Sequence, residues 1–401
     1  MSRIILLKGQ SNYGSLRLHI DQLHTAFKNL GYDSVVIDLV ASNAYENLDN
    51  YINKPISFFF AFNGMGIDLS IEGKSLYNIL NVPFVAAYVD HPHMHLGRLA
   101  NKIEHHYVTM LDEGHLKFVH NYFPENHIKA TKLWLPGGNR NESNPMIKHT
   151  QEEFIAKRDI QILFTGSFRG LPEKPWDSYS KSLSNLLDEV VEVILSQDIM
   201  SFEEGLSYVL ETRKMFLSKK QINKLHQIMP HVNVYLHAMR RFSILNTLAK
   251  AELPVTIYGQ GWDSVKTKWK SFIFKEEGTF EQTLDLLNRA KIVLNTNTCF
   301  VNGGHERVFA AMINGAAVFS DVSTYYEDNF TNNKNILLYK WTELQKAPEI
   351  LNNYLHDEDA LYKIASNGQT LAIEQHSWEE RAKSLIEFIE INENLYGIEE
   401  I

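Results

Sequence analysis

The stretch YVDHPHMHLG, Tyr88 to Gly97, sets Asp90, His91, His93 and His95 side by side at the end of the apolar run PFVAAYV. His-x-His spacing beside an aspartate can supply metal ligands if the loop folds back on itself. The same residue types can act as a general base, because a carboxylate or imidazole within hydrogen-bond reach of a hydroxyl can take its proton. A third use is a polar loop that merely satisfies backbone groups after a buried strand. No motif elsewhere completes a metal centre, and none is expected. The choice among these uses depends on the elements that carry the loop.

Three other loops have residue types suited to binding. NTNTCFVNGGHERVFAAMINGAAVFSD, Asn295 to Asp321, reads as a strand ending at Asn297, a polar loop with Gly303 and Gly304, and a helix that opens at His305, Glu306 and Arg307 and closes at Gly315. Glycines ahead of a helix N-terminus leave backbone N–H groups facing outward, and the helix dipole favours an anion there. Arg307 in the first turn adds a fixed charge able to pair with a diphosphate. In ILFTGSFRG, Gly166 and Ser167 follow a strand, and Arg169 is placed to reach phosphates. Tyr258 and Gly259 in VTIYGQG complete that candidate set. KGQSNYGS places Gly9 and Gly14 around a polar loop before a helix, with Gly14 the binding candidate. It lacks GxGxxG spacing, which disfavours a tightly bound dinucleotide. Phosphate-loop, nucleophile-elbow and HExxH signatures are absent.

These loops need strands and helices to hold them. Up to residue 140, short apolar runs alternate with helical patterns: RIILLKG, a helix over Ser15–Leu30, SVVIDL, ISFFFAF, a helix over Ser70–Leu80, PFVAAYVD, HHYVTM, a helix over Glu113–Phe123, and KATKLWLPG. Continuous runs such as FFFAF suit strands covered on both faces, and the alternation implies a doubly wound parallel sheet. A second series, IQILFTGS, PVTIYGQG, FIFKEEG, AKIVLNTN, AAVFSD and NILLYK, implies another. Between its first two strands, residues 170–249 are rich in Leu, Lys and Glu and read as several inserted helices. The expected division is 1–150 and 151–376, with a last helix from Trp378 to Ile391 and the segment 377–401 returning to the first domain.

A chain of 401 residues can form two domains of ordinary size. Its net charge of −9 gives no basic footprint for nucleic acid. The single cysteine, Cys299, excludes an internal disulfide and fits a cytoplasmic location. No apolar stretch approaches the ~18–20 residues of a spanning helix, and MSRIILLKGQ reads as a strand and not as a signal peptide.

HERVFAAMINGAAVFSD, RRFSILNTLAKAELPVTIYGQGW, ILFTGS and the closing HSWEERAKSLIEFIE together resemble the C-terminal half of group 1 glycosyltransferases, nearest the CgeB-like branch that glycosylates bacterial spores and surfaces. The resemblance implies a GT-B fold of two Rossmann-like domains facing a cleft. It implies a nucleoside-diphosphate sugar in the C-terminal domain as co-substrate and a protein or glycan acceptor at the N-terminal one. It also implies metal-independent, retaining transfer without a further cofactor. By the family's pattern, Gly303, Gly304, His305, Glu306 and Arg307 handle the donor; with the histidine loop following the fourth strand of the acceptor domain so implied, Asp90 and His91 join Glu306 as the catalytic candidates. The family's glutamate before the alanine of this helix is replaced by Ala310, so Glu306 is the nearest substitute for holding the donor ribose. Loss of that glutamate also leaves open a non-catalytic surface or scaffold protein, and a sugar phosphorylase or epimerase on the same fold is a further alternative.

Overall fold

A computed structural model describes residues 2–11, 13–123, 127–140, 150–168, 170–171, 173–276, 278–297 and 300–399. The chain divides into two compact units, Met1–Asn139 with Glu374–Ile401, and Arg140–Ile373. Sequence alone put the boundaries at 150 and 376.

The first unit holds β1 (Arg3–Lys8), β2 (Ser34–Asp38), β3 (Ile56–Phe62), the two-residue strands β4 (Ser70–Ile71) and β5 (Lys74–Ser75), β6 (Phe84–Tyr88), β7 (His106–Met110) and β8 (Ile128–Leu133). Six of them form a sheet in the order β2-β1-β3-β6-β7-β8, parallel throughout. Period-two alternation sends Phe58, Phe60 and Phe62 to one face and Phe59 and Ala61 to the other, and both faces are covered. The helix Ser15–Asn29 and the C-terminal helix Trp378–Glu399 cover the first face through Leu23, Phe27, Trp378, Leu385 and Phe388. Each fully buried phenylalanine contributes about 1.5–3 kcal/mol, which is why a run of three survives without solvent-facing gaps.

The C-terminal helix is fastened to this unit by specific bonds as well as by area. The Trp378 indole donates to Asn139 Oδ1 at 3.1 Å, and Trp134 Nε1 donates to the Arg381 carbonyl at 3.1 Å. Gly137 lies so close to the Trp378 ring that a Cβ would meet it at 2.8 Å. The helix expected over Ser70–Leu80 is shorter than its pattern indicated. Glu72 and Gly73 both take positive φ, 50° and 78°, and turn Ser70–Ser75 into an antiparallel hairpin; only Leu76–Leu80 is helical. A Glu-Gly pair at two positive-φ positions favours such a hairpin over a helix turn.

The second unit holds β9 (Ile160–Thr165), β10 (Val255–Tyr258), β11 (Ile273–Lys275), β12 (Ala290–Asn295), β13 (Ala317–Asp321) and β14 (Leu337–Tyr339). They form one parallel sheet ordered β11-β10-β9-β12-β13-β14. Chain order therefore reverses between β9 and β12. The segment between β9 and β10 is helical, with Lys181–Leu195, Phe202–Thr212 and the 32-residue helix Lys219–Lys250. The end of that long helix buries Ile244, Leu245 and Leu248 on the sheet. Arg240 on the same helix donates to the carbonyls of Ile194 and Gln197 at 2.8 Å, closing the end of its neighbour.

Arg158 fixes the helix Glu306–Ile313 from its C-terminal end. Arg158 is 2% exposed, and its guanidinium donates to the carbonyls of Leu287, Ala290 and Asn314 at 3.0, 2.7 and 2.6 Å. Helix ends leave carbonyls without intrahelical partners, and a cation there also complements the dipole. Gly315 follows at φ 74°, and a Cβ on it would meet the Arg158 guanidinium at 2.8 Å. Replacing Arg158 by leucine would strand three buried carbonyls. Chemical denaturation should show a loss of about 3 kcal/mol or more; a loss below about 1 kcal/mol would contradict this anchoring role.

Burial holds the imidazoles of His106 and His376 down at about 3, helped by His127 and Arg381 respectively. Below the ordinary histidine value near 6.5, the unfolded chain binds protons that the folded chain does not, so stability rises with pH between about 3 and about 6.5. Urea titrations at pH 7, 6 and 5 should therefore show stability falling with acid by roughly 1.4 kcal/mol per pH unit for each histidine once pH is below ~6.5. The His106→Leu chain should lose one such contribution to the slope.

Candidate active site

Ligands of open parallel sheets bind beyond the carboxyl ends of the strands where chain order reverses. In the second unit that point lies between Thr165, the last residue of β9, and Asn295, the last of β12. Arg307 spans it. Its Nε donates to Thr165 Oγ1 at 2.9 Å and its Nη1 to Asn295 Oδ1 at 2.8 Å. Asn295 is oriented in turn by donating to Ser320 Oγ at 2.9 Å. Arg307 sits in the first turn of the helix Glu306–Ile313, so the positive end of that helix is tied to the switch point.

The loop entering the helix is held from within. Asn297, 3% exposed, donates its amide to the carbonyls of Phe300 and Gly303, and its backbone N–H goes to Asp321 Oδ1 at 2.7 Å. Ser323 Oγ donates to the Gly303 carbonyl at 2.8 Å. The His305 backbone N–H donates to the Tyr326 hydroxyl at 2.9 Å, and that hydroxyl donates to Asn297 Oδ1 at 3.2 Å. Burial first, and Asp321 and Glu306 after it, push the Tyr326 phenol well above its ordinary range, so it stays a neutral donor. Asn297 and Gly303 thus shape the loop.

His305 Nδ1 lies 2.7 Å from Glu306 Oε2 and 3.2 Å from the backbone N–H of Arg307. It serves one of them at a time, by donating to the carboxylate or by accepting from the N–H. The shorter, charge-assisted contact favours the Nδ1–H tautomer, which leaves the Arg307 N–H for another acceptor. Burial is the main cause holding His305 below the usual imidazole value, with Glu306 opposing it. Ala310 is buried one turn beyond Glu306, and the i, i+4 spacing sets both residues on one helix face.

On the other side of β9, the loops after β9 and β10 are joined. Gly166 N–H donates to the Tyr258 carbonyl at 2.9 Å, Phe168 N–H to the Gln260 carbonyl at 2.8 Å, and Trp262 Nε1 to the Gly166 carbonyl at 3.0 Å. Gly259 takes φ 151°, and a Cβ on it would overlap the Gly166 carbonyl oxygen. The Tyr258 hydroxyl meets Gln282 Oε1 at 3.3 Å. Both glycines therefore have a packing reason, the close approach of two backbones. Arg169 lies outside the described residues.

Two functional candidates were missed in the sequence because they stand in the helical insertion. Arg241 donates to the Ser167 carbonyl and to His237 Nε2, and its guanidinium lies 5.4 Å from the Phe164 ring centre. A Cβ at Gly166 would meet the Arg241 Cζ at 3.3 Å, so this glycine makes room for a guanidinium. His237 is held well below the ordinary value by burial first, then by Arg241, His305 and Arg307. A guanidinium only donates, so His237 Nε2 is the acceptor and the ring is neutral. Arg241 and Arg307 thus approach the end of β9 from two different helices. The legible signal was HAMRR, His237 to Arg241, a histidine four residues before an arginine on one helix face.

The remaining candidates belong to the first unit. Gly14, φ 77°, caps the helix Ser15–Asn29 after β1. Asp90 follows β6 with its side chain 56% exposed and accepts from Asn63 Nδ2 at 3.0 Å, while Asn63 Oδ1 accepts from the Val89 N–H at 3.0 Å. His91 caps the short turn Pro92–His95, its Nδ1 3.2 Å from the His93 N–H and 2.6 Å from His93 Nδ1. Its ring is packed against His115 and Phe118. His95 lies 3.5 Å from Asp90 and tilts onto Tyr88. Within this loop the histidines are engaged with one another and with the turn, and Asp90 offers the most accessible polar atoms. Among the described residues, no group of three or more His, Cys, Asp or Glu side chains is arranged to hold a metal ion.

Residues 240–387 match the family described as Glycosyl transferase-like. No curated protein sequence matches the chain. Among solved structures, HepE of Anabaena in complex with UDP and glucose is similar over 97% of this chain and 100% of its own, at 11% identity and a TM-score of 0.55. Sucrose-phosphate synthase of Thermosynechococcus elongatus is similar over 99% and 100%, at 10% identity and a TM-score of 0.53. The T4 phage protein BGT in complex with its UDP-glucose substrate is similar over 97% and 99%, at 10% identity and a TM-score of 0.50. The two sheets, the strand orders and these likenesses together give the chain a GT-B fold, and within it residues 240–387 are similar to the Glycosyl transferase-like family.

Proposed function

We propose that the chain transfers a sugar from a nucleoside-diphosphate sugar to a protein or glycan acceptor, with the donor diphosphate at the switch point of the second sheet. The observation that carries this reading is the approach of Arg241 and Arg307 to the end of β9, beside the N-terminus of the helix Glu306–Ile313. In the reaction the acceptor hydroxyl oxygen bonds to the anomeric carbon as the bond from that carbon to the diphosphate oxygen breaks, the hydroxyl proton passes to the leaving diphosphate, and negative charge grows on that diphosphate as it departs. Fixed guanidiniums and helix N–H groups in a partly buried site stabilise that charge without reorganising. They supply what a divalent cation would otherwise supply, so transfer is metal-independent in this reading and insensitive to chelator. UDP is the first donor nucleotide to test, since HepE and BGT were solved with UDP or UDP-glucose.

Glu306 is proposed to hold the donor ribose in place of a carboxylate at 310. Asp90 is proposed to hold the donor sugar or the positive charge that develops near its anomeric carbon, with a retaining outcome following the family resemblance and a cytoplasmic setting following the single cysteine. His91 keeps the turn in place.

Calorimetry with UDP, GDP, TDP and ADP tests the donor assignment. One of them, at ~100 times its dissociation constant, should stabilise the fold by roughly 2.7 kcal/mol. Arg241→Ala and Arg307→Ala should each weaken it by roughly tenfold or more, as expected for charge-assisted bonds. Glu306→Gln should weaken the nucleoside diphosphate and leave inorganic pyrophosphate unchanged. Asp90→Asn should keep nucleoside-diphosphate affinity and lower turnover. If no nucleoside diphosphate binds, the chain is a non-catalytic relative, and Ala310 is the residue that favours that second reading. Restoring glutamate at 310 should then restore binding.

A further inference from the structure

In the helical insertion, the loop between the helices Phe202–Thr212 and Lys219–Lys250 reads RKMFLSKK, Arg213 to Lys220. Phe216 at its tip is 96% exposed, and Met215 beside it is 39% exposed. An aromatic ring so fully in water gains nothing from folding. The loop keeps its shape without it. Lys214 N–H donates to the Glu211 carbonyl at 2.9 Å and Met215 N–H to the Leu210 carbonyl at 2.8 Å. Ser218 and Gln221 cap the next helix reciprocally.

The charges around the ring are of one sign. From Arg213 to Lys224 there are five basic residues and no acidic one, in a chain of net charge −9. Arg213 pairs with Glu189. Among the described residues, Lys214, Lys219, Lys220 and Lys224 make no salt bridge. Lys219 and Lys220 stand in the first helical turn, which holds no acidic residue. The helix dipole disfavours cations at that end, so these lysines are poorly explained by stability alone. An anionic surface would offset both costs, pairing with the lysines and giving the ring an apolar medium.

We propose that this loop is a peripheral membrane-binding element, with Phe216 and Met215 entering the headgroup boundary of an anionic lipid leaflet and Lys214, Lys219, Lys220 and Lys224 lying on lipid phosphates. Aromatic side chains favour that boundary, and a basic cluster is drawn to its negative potential. One apolar anchor or one basic patch alone binds weakly, and the loop carries both signals. No described helix is long and apolar enough to cross a membrane, so the attachment is to the surface. The proposal is independent of the donor-site reading.

Cosedimentation of the full chain with vesicles tests it, comparing phosphatidylglycerol mixed with phosphatidylcholine against phosphatidylcholine alone. Binding is expected to the anionic vesicles only, and to weaken as salt rises from ~0.1 to ~0.5 M. Phe216→Ser should lower the partition coefficient roughly tenfold or more. Lys219→Ala and Lys220→Ala should each lower it roughly fivefold. All three side chains are exposed, and circular dichroism verifies the fold. Absence of binding to anionic vesicles, or equal binding by the Phe216→Ser chain, overturns the proposal. So does a dimer in size-exclusion chromatography that Phe216→Ser dissociates while vesicle binding is absent, since the loop would then serve a second copy of the chain.

Discussion

The helix Glu306–Ile313 is held at both ends by arginines, and the candidate site depends on that double restraint. Arg158 gathers the carbonyls of Asn314, Leu287 and Ala290 behind its C-terminus. Arg307 ties its N-terminus to Thr165 and Asn295. A helix fixed in this way keeps its positive end at the point where strand order reverses, and pre-placed dipoles stabilise an anion without being paid for at the moment of reaction. The loop before it is shaped by Asn297, Ser323, Tyr326 and Asp321, none of which needs a ligand to be satisfied.

The electrostatics follow from burial. Arg241, Arg307, His237 and His305 are partly buried, so charges there act over a lower effective dielectric than at the surface. The histidines respond by staying neutral. His237 then accepts from Arg241 and fixes where that guanidinium points, while His305 donates to Glu306 and leaves the Arg307 backbone N–H for another acceptor. Two permanent positive charges remain, with Glu306 beside them, which suits an anion carrying more than one negative charge.

The sheets were legible because their strands are continuous apolar runs with period-two packing on both faces, a pattern that survives without knowledge of partners. FFFAF and AKIVLN read as short buried strands from their length and continuity, and they lie in the strands Ile56–Phe62 and Ala290–Asn295. The order β11-β10-β9-β12-β13-β14 was less legible, since it depends on crossovers that leave no local trace. SIEGKSLYNIL misled because helical spacing hid two positive-φ positions at Glu72 and Gly73. The place of Arg307 in the first turn of a helix after two glycines was legible. Arg241 and His237 were not, because only the folded path of a 32-residue helix brings them to β9. In the histidine loop, spacing alone could not separate ligands from packing. The rings of His93 and His115 each lie against that of His91, a tertiary fact in the case of His115.

A crystal structure of the chain soaked with UDP tests the central claim most directly. The account predicts both phosphates at the switch point of the second sheet, with oxygen atoms within about 3 Å of the Arg241 and Arg307 guanidiniums and of the first backbone N–H groups of the helix Glu306–Ile313. Ordered UDP elsewhere in the chain, with neither arginine in contact with a phosphate, would contradict it.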